Sequence, residues 1–383
     1  MRWTCWPVCL VTGIVLFCIA CSQPAHVDYS TGLKVYKETD SSRGFDTTSR
    51  QSPMYYRPVK IDLYYPSTDK PTGDALQYGD LLDMYEQRMN YQLPLDSCKK
   101  ASRQLARVFA DYLHLDTAYK ILDCPTQIYT NLSLPVKKRP LIIYAAGMNG
   151  SSWENAILFD SLTKAGYVIA AVSSVGTFPG YMTGATDLEE QVKDILFTCQ
   201  KMKKLPFIDA KKIGLLSWSM GGSAITKAAM LSKEFKCLLS MDGTDIHYYG
   251  FDKDWDKEYN RIKTTGIYTP AAISIPYMYL SGEHPTEVDS IDVLQEHISS
   301  KRKFFLKLTR GTHEDFSSIV SVVKQAGPEL GNLDEDRHQA VSGLVLTFFN
   351  QYLAGTGKTA TADYITRLIE AHPSLYSTTW PKK

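Results

Sequence analysis

The chain has 383 residues, 44% of them hydrophobic and 22% charged, with a formal net charge of +1. These are the proportions of a soluble globular protein with a large core, and the length accommodates one domain with insertions. A charge so near zero removes any electrostatic reason to expect a nucleic-acid partner.

Residues 1–21 read as a targeting segment. Arg2 supplies the positive charge, and the apolar run 8–20 is short for a bilayer span. The run ends Cys18-Ile19-Ala20-Cys21-Ser22, which resembles the lipobox of bacterial lipoproteins, with Cys18 where that pattern prefers Leu. By that resemblance Cys21 is the lipidated first residue of the mature protein. The chain is then exported to the bacterial envelope, at the outer membrane or periplasmic face, and touches the membrane only through its anchor. An ordinary cleaved signal and an uncleaved anchor are the alternatives. Four cysteines remain beyond Cys21: Cys98, Cys124, Cys199 and Cys237. None forms a Cys-x-x-Cys pair, so zinc and thioredoxin-like readings have no support, and no metal or cofactor is expected. In an oxidising compartment Cys98 and Cys124 are expected to pair. Cys199 and Cys237 sit in apolar patterns as small buried hydrophobes.

Residues 22–53 are polar and aperiodic and read as a tether and irregular lead-in. From residue 54 onward the chain reads as one α/β domain. Residues 56–66 alternate as a half-buried strand. Residues 73–135 form a helical insertion, a cap, with helical spacing around Leu81, Leu82 and Tyr85 and again through Leu105, Val108, Phe109 and Tyr112. The continuous apolar run 141–145 predicts a buried parallel strand. Ala146-Gly147-Met148-Asn149-Gly150 follows, then Ser151 and Glu154 as the capping box of a helix reaching about residue 164. Further strands are expected over 167–172, 212–216, 237–241, 277–280 and 303–308. Helices are expected over 186–203, 223–232, 288–299 and 339–353. Strands alternating with helices in this way predict a mostly parallel sheet covered on both faces. Gly355-Thr356-Gly357-Lys358-Thr359 imitates a phosphate loop, but Tyr352 stands where that loop needs a Gly. The segment is expected to be a helix C-cap and turn.

The strand over 212–216 runs into Ser217-Trp218-Ser219-Met220-Gly221-Gly222 and then a helix. That is the pattern of a nucleophile elbow, with Ser217 in place of its first Gly. Ser219 has small residues two positions away on both sides. Ser217 would have Leu215 and Ser219, so Ser219 is the candidate nucleophile. A serine hydroxyl needs a base to take its proton. Of the eight histidines, His313 alone stands in a Gly-containing loop directly after the last strand, downstream of Ser219. Asp242, Glu283 and Asp245 each follow a strand and are candidates for the acid that orients it. The oxyanion donors expected are the backbone N–H groups of Met220 and Met148.

Tyr56-Arg57-Pro58-Val59, the Ala146-Gly147-Met148 loop, Ser219-Met220-Gly221-Gly222, Met241-Asp242-Gly243, Ile275-Pro276 and Gly311-Thr312-His313 together resemble the platelet-activating-factor acetylhydrolase and dienelactone-hydrolase branch of the α/β hydrolases. The likeness runs from about residue 56 to 353, interrupted by the insertion, with Ala146 where a His is common. The resemblance implies an α/β-hydrolase fold. It also implies a serine hydrolase acting on a small-molecule carboxylic ester, with Ser219, His313 and Asp242 as triad and Glu283 as the alternative acid. An acyl-peptide hydrolase or peptidase is the alternative enzyme. A catalytically silent ligand-binding lipoprotein is the alternative outside enzymes.

Overall fold

The computed structural model describes residues 27–112, 119–183, 187–246, 248, 253–266, 268–282, 294–327, 334–356, 359–373 and 376–377. Its frame is a ten-stranded sheet built from β1 (Ser30–Gly44), β2 (Tyr56–Ser67), β3 (Ile128–Tyr129), β4 (Arg139–Ala145), β5 (Val168–Val172), β6 (Ile208–Trp218), β7 (Phe235–Met241), β8 (Tyr277–Ser281), β9 (Lys303–Leu308) and β10 (Tyr376–Ser377). The order across the sheet is β10-β9-β8-β7-β6-β4-β5-β2-β1-β3. The six central strands, β4 to β9, run parallel, while β2 is antiparallel to β5, β1 to β2 and β10 to β9.

The central strands are apolar without interruption because both faces are covered. Ile142 and Tyr144 of β4 join one core with α1 (Tyr78–Glu86), α2 (Leu95–Tyr112) and α3 (Ala156–Lys164). Leu141, Ile143 and Ala145 join the other with α4 (Leu188–Met202), α5 (Gly221–Leu231), α6 (Lys253–Thr264) and α7 (Leu294–His297). The first core also takes α8 (Ile319–Ala326), α9 (Glu335–Phe349) and α10 (Thr361–Ala371). Chain order reverses between β4 and β6, since β5 lies on one side of β4 and β6 on the other. Such a reversal opens a crevice at the carboxyl ends of the strands.

Four expectations need correction. Residues 30–44 are not a tether but a long strand pairing with β2 along nearly its whole length. Their polarity reflects the outward face of a strand near the sheet margin. Arg43 and Arg57 then pin this hairpin to α4, each reaching Asp194 at 2.6 Å. The Ser151 capping box does not form: Ser151 Oγ bonds Ser173 Oγ at 2.7 Å, and a 3-10 turn over Ser152–Asn155 leads into α3. Cys98 and Cys124 are both free thiols. Cys98 faces the Leu93 carbonyl, whereas Cys124 is turned into the core against the carbonyl of Val322 on α8. Finally, the chain beyond α9 is no simple tail, since α10 and the margin strand β10 follow. α9 does end through a π-helical turn at Gly355, left-handed at φ 73°, as the capping reading expects. Within the insertion, α1 and α2 form as anticipated, and β3 adds a parallel strand beside β1. Among the described residues no helix is long and apolar enough to cross a membrane.

Candidate active site

β6 ends at Trp218, and the next residue, Ser219, has φ +56°. A non-glycine residue held there costs about 1–3 kcal/mol and persists only where its surroundings fix it. They do so here. The Ser219 N–H donates to the Met241 carbonyl at 3.2 Å, and its own carbonyl accepts from Gly222 at 2.9 Å and Thr244 at 3.1 Å. The glycines after it have steric reasons: a Cβ on Gly221 would lie 2.2 Å from the Ala145 carbonyl oxygen, and one on Gly222 2.3 Å from Asp245 Oδ1. Ser217 is enclosed within the sheet between Ala145 and Ser240, with no exposed surface. Ser219, not Ser217, stands at the strained corner.

Asp242 is the first residue past β7, itself at φ +44°. Its Oδ2 lies 2.5 Å from His313 Nδ1, and its Oδ1 accepts the Gly282 N–H at 2.8 Å. His313 opens a 3-10 turn (His313–Phe316) whose own capping box joins Thr312 to Asp315. Arg337 of α9 holds buried Asp315 at 2.8 Å, so the histidine's loop is tied to the core. Trp218 stacks on the His313 ring, centroids 4.6 Å apart, and donates its indole N–H to the His313 carbonyl at 3.1 Å. The residue before Ser219 therefore positions the histidine directly. Ser219 Oγ and the His313 ring are not hydrogen-bonded to each other.

Asp245 is not part of this group. It is buried, bonded to Ser240 and Tyr277, and burial pushes its carboxyl up to about 6. Glu283 and His284 lie outside the described residues, as does Cys21.

The loop after β4 faces the elbow: a Cβ on Gly147 would lie 3.1 Å from Ser219 Cβ. Gln191 donates to the Ala146 carbonyl at 2.7 Å, Tyr85 to that of Asn149, and the Asn149 side chain bonds both N–H and C=O of Met182. The Gly147 N–H is taken by Glu154 Oε2 at 3.1 Å. That leaves the Met148 N–H, which, like that of Met220, donates to no acceptor among the described residues.

Glu154 was missed as a site residue. Its carboxyl also accepts from Tyr144 at 2.9 Å, it fills the space beside Gly150 where no Cβ fits, and burial pushes it up to about 8. The signal lay in its neighbours. Trp153-Glu154-Asn155-Ala156-Ile157-Leu158 gives a glutamate at this helix start little polar surface on which to stay exposed. Among the described residues no group of three or more His, Cys, Asp or Glu side chains could hold a metal ion.

A ferulic acid esterase from Streptomyces cinnamoneus superposes on 94% of this chain and 98% of its own, with TM-score 0.59 at 15% identity. The chain has the α/β-hydrolase fold. Within that fold, residues 153–288 match a model of the prolyl oligopeptidase family, a stretch holding Ser219 and Asp242 but ending before His313. An acylaminoacyl peptidase from Pyrococcus horikoshii is similar over 57% of this α/β-hydrolase chain and 38% of its own, with TM-score 0.43 at 18% identity. A search among curated proteins found no match.

Proposed function

We propose that the protein is an exported serine hydrolase that cleaves carboxylic esters through an acyl-enzyme. The observation that carries this is the strained Ser219 elbow beside a buried aspartate bonded to a histidine, all at the carboxyl ends of β6, β7 and β9. In the first half-reaction His313 Nε2 accepts the Ser219 proton as Oγ attacks the ester carbonyl. The N–H groups of Met148 and Met220 receive the developing oxyanion, each such donor being worth about 3 kcal/mol. His313 then protonates the leaving alkoxide. In the second half-reaction it draws a proton from water, which attacks the acyl-serine, and hands that proton to Ser219 Oγ as the acid is released. Asp242 accepts from Nδ1 throughout and stabilises the imidazolium. Contacts between nucleophile and base commonly tighten only with substrate bound.

Labelling by a fluorophosphonate probe tests the reading, followed by a panel of acetyl, longer acyl and feruloyl esters. Ser219→Ala should lose both labelling and turnover while staying folded, and Ser217→Ala should keep much of both. Labelling that persists in Ser219→Ala would sink the assignment. The match to the prolyl oligopeptidase family favours a second reading, an acyl-peptide hydrolase. Faster release from N-acylated peptide anilides than from every ester would select it. For the anchor, Cys21 is the proposed lipidation site, and a labelled fatty acid should enter the wild-type chain but not Cys21→Ala.

A further inference from the structure

Arg88 lies just past α1, with 1% of its surface exposed. Its Nε, Nη1 and Nη2 are each buried without a hydrogen-bond partner. Other buried bases in the described residues are matched: Arg57 by Asp194, Lys60 by Asp62, Lys227 by Glu189, Arg337 by Asp315. A guanidinium keeps its charge at any ordinary pH. Taking it out of water unpaired costs several kcal/mol. What it has instead is aromatic: its Cζ sits 3.8 Å from the Tyr85 ring centroid and 5.5 Å from that of Tyr181, cation–π contacts that replace only part of the lost hydration. Glu86 feels the charge but makes no hydrogen bond to it.

The place matters as much as the missing partner. The Tyr85 hydroxyl donates to the carbonyl of Asn149, next to Met148. Tyr181 belongs to the 176–183 segment, which is bonded to the same Asn149 through Met182 and to Met89 through the Gly180 N–H. Arg88 is thus set behind the proposed oxyanion loop, between α1 and that segment. On the outer side Met148, Phe178 and Tyr181 are all more than half exposed, an apolar rim beside a buried cation.

We propose that Arg88 anchors a carboxylate carried by the substrate, so that this site takes esters bearing an acidic group on the acyl or the alcohol part. The proposal rests on the serine-esterase reading above. The planar guanidinium offers paired N–H donors that fit a carboxylate's two oxygens. With Lys60 already matched by Asp62, one unmet positive charge suits a monoanion and not a phosphate dianion. Tyr181, two-thirds exposed over the guanidinium, is the side chain that gives way to the ligand.

The test compares wild type, Arg88→Met and Arg88→Lys on p-nitrophenyl butyrate, p-nitrophenyl hemisuccinate and 4-acetoxybenzoate. Wild type should favour one of the two acidic esters. Arg88→Met should lose about 30-fold or more in kcat/KM on that ester, mainly through KM, while keeping its rate on butyrate. Arg88→Lys should recover part of the loss. Arg88→Met should also melt no lower than wild type, since an unmatched buried charge has been removed. An equal loss on all three esters, no preference in the wild type, or a lowered melting temperature would each overturn the proposal. If wild type hydrolyses none of them, the esterase reading fails separately. Calorimetric titration with monomethyl succinate and benzoate then decides the anion site: binding lost in Arg88→Met supports it, and no binding overturns it.

Discussion

Asp242 is held by the His313 ring, by the Gly282 N–H, and by its own N–H donated to the Leu280 carbonyl at 2.7 Å. Asp242→Asn should preserve that frame and substrate binding while turnover falls by ~10⁴. A loss below about tenfold in kcat would move the acid elsewhere, with Glu283 next in line. Glu154 gives a second test. The unfolded chain releases this proton near the ordinary carboxyl value of 4.5, whereas the native chain keeps it up to about 8. Between those values the native state binds more protons, so stability is fully present below the window and falls as pH rises through it. The slope is at most about 1.4 kcal/mol per pH unit. The groups around the carboxyl, Tyr144, Tyr78 and Tyr85, are all raised by burial and stay neutral there. Glu154→Gln should therefore flatten the melting temperature against pH across that window, and an unchanged slope would contradict the assignment. Ser219, Asp242 and His313 stand out in the sequence because each follows a strand in a fixed order. Glu154 and Arg88 do not, because an unremarkable sequence position says nothing about which charge will be sealed from water.

At the scale of elements, what was legible followed the number of covered faces. β4 to β9 lie between two helical layers and read as apolar runs. β1, with its many polar positions, lies toward the margin of the sheet and imitates a linker. α6 went unread for a similar reason, being mostly charged or polar along its length. The β1–β2 hairpin owes its seat to Asp194 of α4, which faces Arg43 and fully buried Arg57 together. Asp194→Asn leaves two guanidinium groups short of their counter-charge and should cost about 3–5 kcal/mol. Urea denaturation reads this directly, and a loss under about 1 kcal/mol would mean the hairpin is held by its strand pairing alone.

For the molecule as a whole, the antiparallel entry of the first hairpin sets a direction. The β4, β6 and β7 carboxyl ends carry the loops of the site, and β2 runs against β5, so the start of β2 lies at that end. Ser30, paired with Ser67 at the far end of β2, is therefore at the opposite pole. The chain between Cys21 and Ser30 can reach about 30 Å at most. With a lipid on Cys21, so short a leash would keep that pole against the bilayer and turn the catalytic mouth outward to the water. An enzyme moored in this posture would meet dissolved esters and not the lipids beneath it, and cutting the mooring would lift that restriction.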